Sequence, residues 1–219
     1  MRIVKEHEER KNEIVDTAAR LFAQKGYDEC SVNDILNTIG IAKGTFYHYF
    51  RSKEEVLDAV ISRATDLIRE RINQAMQNTE LAPTEKMLHL FLAMRVKDQM
   101  GDELLEEMHR PENALLHQKS LVASVEMITP MMTQIVEEGN AMGIFHCRYP
   151  EQDMRIFLTS IMTLMDDGIF QVPPEKQQML LKHFLKHWSY FFPYRRNGRL
   201  ARLAQFLPGE FRTWYRLRQ

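Results

Sequence analysis

One short run of the sequence, Lys43-Gly44-Thr45-Phe46-Tyr47-His48-Tyr49-Phe50 with Lys53 just beyond it, gathers the groups best suited to recognise an anionic polymer. Placed on a helix, Phe46 and Phe50 stand four apart and share one face, while Lys43 and Tyr47, also four apart, share another. The chemistry this arrangement fits is the reading of double-stranded DNA. A helix enters the major groove of B-DNA, and its N-terminal end reaches the base edges. Such a helix must be short, held by aromatic anchors on its back and furnished with donors on its front. Lys43 supplies a cation at the N-terminal end, Gly44 lets backbone approach DNA with no side chain in the way, and Thr45 offers a hydroxyl and a methyl for a phosphate or a thymine methyl. Tyr47 and Tyr49 can donate phenolic hydrogen bonds to phosphates. Lys53, at the next helix's N-terminus, adds a cation where anions are already favoured. His48 either lies near the DNA backbone or packs locally. A Phe46–Phe50 pair alone would read as ordinary core; core packing does not explain the donors gathered beside it.

The elements that must position this run are helical. Ile14, Ala18, Leu21 and Phe22 recur at spacings of three and four, which predicts a helix over about 8–25, ended by Gly26. Ser31, with Asp34 three positions on, predicts a capped second helix that buries Val32, Ile35, Leu36 and Ile39 and breaks at Gly40. The third helix runs from about Ala42 to Tyr49. Ser52-Lys53-Glu54-Glu55 forms a capping box for a fourth of about 25 residues, whose buried face is read as Val56, Leu57, Val60, Ile61, Ala64, Leu67, Ile68 and Ile72. Two short helices joined by a glycine turn and flanked by longer ones make a helix-turn-helix.

Leu21-Phe22, Gly26-Tyr27, Ser31-Val32, Ile35, Gly40-Ile41, the whole of Lys43 to Phe50, Lys53 and Leu57 resemble the DNA-binding domain of the TetR family of regulators, over roughly residues 8–60. The resemblance implies base-edge contacts from Lys43, Gly44 and Thr45, and phosphate contacts from Ser31, Tyr47, Tyr49 and Lys53. It also implies dimerisation through the last two core helices and induction by a small molecule bound among the middle ones. The family often has serine where Ala42 stands, so the third helix is expected to lack a side-chain cap. It often has alanine where this chain has Leu36 and Ile39, which predicts a slightly different packing angle for the second helix.

Beyond residue 80 the periodicity predicts further helices at about 83–99, 101–109, 112–140, 151–170 and 174–192, with Pro130 kinking or breaking the third of these. The fold expected is therefore all-α: a helix-turn-helix domain over 1–53 and a larger ligand-sensing and dimerisation domain over 54–219. Many of the fourteen methionines fall in this second part. Met87, Phe91 and Met94, with Val125, Ile128 and Met132, are read either as core or as the lining of an adaptable apolar pocket. Leu158, Ile161, Met162 and Met165, with Leu180, Phe184, Trp188 and Phe191, are read either as intramolecular core or as the face through which two copies pair in a four-helix bundle.

Net charge is −1, but unevenly spread. Residues 1–53 carry nine Lys/Arg and eight Asp/Glu, residues 54–194 thirteen and twenty-one, and residues 195–219 seven and one. A DNA-binding surface must then be a local patch rather than a global field. The basic, aromatic tail, Arg195 to Arg218 with Phe206, Phe211, Trp214 and Tyr215, could touch nucleic acid or dock as a cap whose arginines pair with the acidic body. Cys30 and Cys147 form no C-x-x-C pair and are read as small buried hydrophobes in a reducing cytosol. No signal peptide or membrane span is visible, so a soluble cytoplasmic protein is expected. G-x-S-x-G, G-x-G-x-x-G, P-loop and zinc signatures are absent, which argues against an enzyme. The His183/His187 spacing could chelate a metal, but Phe184 stands where the H-E-x-x-H form needs Glu; no metal and no cofactor are expected. The resulting function is a sequence-specific transcriptional regulator, a repressor released from a pseudo-palindromic operator by a small apolar or amphipathic ligand and acting as a homodimer. The alternative is a helical small-molecule binder that no longer binds DNA.

Overall fold

A computed structural model describes residues 2–75, 81–93, 108–173, 175–177, 179, 180 and 183. Among these, every regular element is helical: α1 (Arg2–Lys25), α2 (Val32–Ile39), α3 (Lys43–Tyr49), α4 (Lys53–Ala75), α5 (Pro83–Ala93), a single 3-10 turn (Pro111–Asn113), α6 (Ala114–Ala141) and α7 (Pro150–Leu164). The chain divides into two compact units. One takes Met1–Arg69 with Arg95–Ser124, the other Glu70–Met94 with Val125–Gln219.

The first unit is organised by one apolar cluster. Ile14, Val15, Ala18, Leu21 and Phe22 of α1 meet Ile35 and Leu36 of α2, Phe46 and Phe50 of the α3 region, and Val56, Leu57 and Ile61 of α4. Leu115, Leu116 and Ala123 of α6 pack against the same cluster. Helix α1 begins earlier than its apolar period suggests, at Arg2. It ends where expected, with Gly26 at φ 85° donating its N–H to Phe22 O at 2.9 Å. Ser31 caps α2 through the full reciprocal box with Asp34, and Gly40, at φ 77°, closes it. Ala42 gives α3 no side-chain cap. At the start of α4, Ser52 Oγ accepts from Glu55 N–H at 3.1 Å, but the Glu55 carboxylate reaches back to Arg51 N–H rather than to Ser52. The buried stripe of α4 is Val56, Leu57, Ile61, Thr65 and Ile72; Ala64 and Leu67, expected inside, face outward, Leu67 at 54 % exposure.

In the second unit α6 runs through Pro130 without a break, so of the kink or break expected there the break does not occur. Pro130 is exposed, so its ring meets water rather than a packed neighbour. Beside it Thr129 and Thr133 donate their hydroxyls back to Val125 O and Thr129 O at 2.7 and 2.8 Å, bonds that themselves tend to bend a helix. The α6–α7 connection is closed by Asn140, whose side chain exchanges hydrogen bonds with the Cys147 backbone at 2.7 and 3.0 Å. Helix α7 stops at Leu164, short of the predicted 170, because Asp166 Oδ1 accepts from Gly168 N–H and Ile169 N–H at 2.9 and 3.1 Å and turns the chain. Both cysteines are buried and free. Burial first, then the Asp153 carboxylate 3.0 Å away, pushes the Cys147 thiol up to about 12. No helix among the described residues is long and apolar enough to cross a membrane. The expected helix over 101–109, most of that over 174–192 and the basic tail lie outside the described residues.

The two left-handed glycines of the first unit differ in their surroundings. A Cβ at Gly26 would sit 2.6 Å from Glu112 Cβ, whereas one at Gly40 meets nothing within 4 Å. Gly40→Ala should therefore lose only the backbone strain, about 1 kcal/mol, and Gly26→Ala at least about twice that, because backbone and neighbour must both move. Urea unfolding of the two variants checks this; equal losses would contradict the close approach at Gly26.

Candidate nucleic-acid interface

Helix α3 is set by what lies behind it. Phe46 is fully buried and Phe50 nearly so, their ring centroids 6.1 Å apart. Phe46 N–H and Thr45 N–H both bond to Ala42 O, which starts the helix without a side-chain cap. On the opposite side Lys43, Gly44, Tyr47 and His48 are exposed, and Thr45 is half-buried. The Lys43 ammonium lies 5.9 Å from the Tyr47 ring centroid, so these two side chains run together along one edge. Nothing lies within 4 Å of the place a Gly44 side chain would occupy, which leaves the backbone there open to a partner.

Two of the expected residues are less free than their exposure in sequence suggests. Tyr49 is half-buried and packs against His7 of α1 (centroids 4.6 Å) and against His48 (5.1 Å); His7 and His48 are themselves 5.6 Å apart. Sequence reasoning missed His7 because α1 was expected to start after it, in a stretch with no apolar period. Lys53 turns inward: its ammonium donates to Tyr27 O at 2.7 Å and Asp28 O at 3.4 Å and lies 4.1 Å over the Tyr27 ring. It braces the turn between α1 and α2, whatever else it touches. Ser31 is exposed, and its hydroxyl is engaged in the cap with Asp34.

The remaining candidates lie in the body. Ile128 and Met132 are buried on α6, Val125 is half-buried on the same helix, and Met87 is half-buried on α5. The Phe91 side chain and Met94 lie outside the described residues. Leu158 is fully buried within its own chain, Ile161, Met162 and Met165 are half-buried, and Leu180 is exposed. Phe184, His187, Trp188 and Phe191 lie outside the described residues. His183 Nδ1 stands 2.9 Å from Met179 O.

Helices α2 and α3, joined by the Gly40 turn and carried on α1 and α4, form a helix-turn-helix, an architecture that reads DNA. Residues 14–60 match the family model for bacterial regulatory proteins of the tetR family, and residues 97–185 match the tetracyclin repressor-like C-terminal domain. The chain belongs to the TetR family. It is 36 % identical over 84 residues to the HTH-type transcriptional repressor KstR2 of Mycolicibacterium smegmatis, covering 38 % of this chain and 40 % of that protein. It is 33 % identical over 75 residues to the HTH-type transcriptional repressor NemR of Escherichia coli K12, covering 34 % and 37 %. The matched stretch thus spans about two fifths of the length of these curated relatives. A TetR-family transcriptional regulator from Syntrophomonas wolfei shares the fold, with a TM-score of 0.61 at 22 % identity over 82 % of this chain and 95 % of that one.

The ends of α1 and α2 are tied together by charge. Lys25 bonds Asp34 at 2.7 Å, and Ser31 N–H donates to the same carboxylate at 2.8 Å. Lys25 first, then the Ser31 hydroxyl and backbone, hold the Asp34 carboxyl well below the usual carboxylate range. A lowered folded-state value stabilises the fold above the ordinary range, and the contribution is lost as pH falls through the folded value. Asp34→Asn should therefore unfold at lower urea than the unchanged protein at pH 7, and the gap should close as pH drops below about 4. A gap that stays constant down to pH 2.5 would contradict the assignment.

Proposed function

We propose that this protein is a sequence-specific DNA-binding transcriptional regulator, a cytoplasmic homodimer that represses from a pseudo-palindromic operator and is released by a small apolar or amphipathic ligand. The observation that carries the reading is the two-sided build of α3, with Phe46 and Phe50 locked into the core and Lys43, Gly44, Tyr47 and His48 turned to solvent. In this reading Lys43, Gly44 and Thr45 meet base edges at the N-terminal end of the helix. Tyr47, His48 and Tyr49, with Ser31 and Lys53, meet phosphates and set the register. Repression is supported by the KstR2 and NemR names, each a transcriptional repressor.

Release follows from a two-state equilibrium. A ligand held among Met87, Phe91, Met94, Val125, Ile128 and Met132 favours the arrangement in which the two heads no longer match the operator spacing. Helix α4 begins directly after α3 and is continuous from Lys53 to Ala75, so it is one lever for that change. The partner-facing surface is the part of Leu158, Ile161, Met162, Met165, Leu180, Phe184, Trp188 and Phe191 that its own chain leaves uncovered. Leu158 has none to offer. Catalysis, a cofactor and a metal have no place in this reading.

Selection of bound sequences from a random DNA pool with the purified full-length protein tests it. The expected product is a palindrome with half-sites about one helical turn apart, bound less tightly as salt rises. Lys43→Ala should relax sequence choice at one half-site position, by about 1–3 kcal/mol, whereas Tyr47→Phe should weaken all sequences alike. No enrichment from a folded dimer at low salt would overturn the regulator and favour a small-molecule binder without DNA affinity.

A further inference from the structure

The turn between α1 and α2 satisfies part of its backbone locally, with Gly26 N–H on Phe22 O and Cys30 N–H on Tyr27 O, and its other partners come from far along the chain. Tyr27 N–H donates to Asn113 Oδ1 at 2.7 Å, a buried bond between residues 86 positions apart. Asn113 is 1 % exposed. Asp28 N–H donates to Glu112 O at 3.0 Å, and Gly26 lies so close to Glu112 that only a glycine fits. On the other side, Tyr27 O accepts from Lys53 of α4 at 2.7 Å. The first turns of α4 are tied in turn to α6, where Lys119 reaches Glu54 at 2.8 Å and Asp58 at 2.6 Å. Tyr27 is therefore clasped at both its N–H and its C=O, by the Pro111–Asn113 turn and by α4, and Lys119 of α6, the helix that follows the turn, pairs with α4.

A buried asparagine is costly unless paired, and a buried N–H needs an acceptor. Asn113 answers the Tyr27 N–H with a buried acceptor from 86 positions along the chain. The Tyr27 ring belongs to the same apolar cluster as Phe46 and Phe50, so the position of its backbone is transmitted to the seat of α3. We propose that the Pro111–Asn113 turn and the start of α6 form a second attachment of the DNA-reading head, beside α4, with Asn113 as the positioning residue that holds α3 in its reading geometry. The proposal rests on the DNA-binding function inferred above. Helix α6 continues without a break from Ala114 to Ala141 and carries Val125, Ile128 and Met132. Asn113 reaches Tyr27 directly, without passing through α4. Coupling of this kind works through preorganisation: a loosened head still meets phosphates but no longer presents its base-reading edge at one angle.

The test uses the full-length dimer, the DNA selected by the unchanged protein and a scrambled duplex. Asn113→Ala should lower affinity for the selected sequence about tenfold or more, leave affinity for the scrambled duplex within about twofold, and speed hydrogen exchange at the Tyr27 amide. All three are read without denaturant, where circular dichroism shows both proteins folded. A purely structural role would lower urea stability and leave the ratio of the two affinities unchanged. Lys119→Met, whose exposed ion pairs contribute little to stability, should lower the same ratio in the same direction, and it decides the matter if Asn113→Ala fails to fold. Faster Tyr27 exchange with an unchanged ratio overturns the proposal. If the unchanged protein selects no sequence, the DNA-binding function falls and this proposal with it; if it does select one and both variants match it, only the attachment falls.

Discussion

Burial of Phe46 and Phe50 is the constraint on which the rest depends. A seven-residue helix has too few backbone bonds to persist alone, and α3 also lacks a side-chain cap. What holds it is apolar area: each phenylalanine contributes about 1.5–3 kcal/mol on burial, against a cluster supplied by α1, α2, α4 and the start of α6. Because the anchors sit on one side, the other is left for chemistry, and its side chains are presented by a rigid support. The acidic body does not conflict with this. A reading surface built from a few aimed donors needs a local patch, and the overall charge of −1 leaves that patch to act on its own.

The residues around Tyr27 show how the helix-turn-helix is tied to the remainder of its unit. Lys53 and Asn113 approach the same backbone from two elements that are distant in sequence, and Lys119, on the helix that follows Asn113, pairs with α4. Polar groups here do what the apolar cluster cannot. Hydrophobic contact is non-directional, whereas a hydrogen bond to a particular N–H fixes an angle. The head is thus stabilised by packing and oriented by a small set of directional bonds, most of them to backbone.

Elements governed by local rules were legible in the sequence. The Ser31–Asp34 box, the two glycine stops, the inward faces of Phe46 and Phe50 and the missing cap at Ala42 all follow from neighbours within a few residues, and the structure shows each of them. Features that depend on distant partners were not. Lys53 looked like a free cation because nothing near it in sequence signals Tyr27 O, and Asn113 carried no signal at all. His7 lay before the first apolar repeat, so its packing on Tyr49 left no periodic trace. At Pro130 the expected break does not occur, because the rule against proline in a helix takes no account of a ring exposed to solvent. The early end of α7 reflects Asp166, whose bonds to its own following backbone compete with the helix.

The central claim is that the outward face of α3 is what meets DNA, rather than the arginine-rich tail or some other surface. Hydrogen–deuterium exchange of the full-length dimer, compared with and without its selected duplex, tests this most directly. The account predicts slowed exchange over residues 41–50 on binding the selected sequence, and a weaker effect there on a scrambled duplex. Protection confined to residues 195–219, with 41–50 unchanged on either duplex, would contradict it.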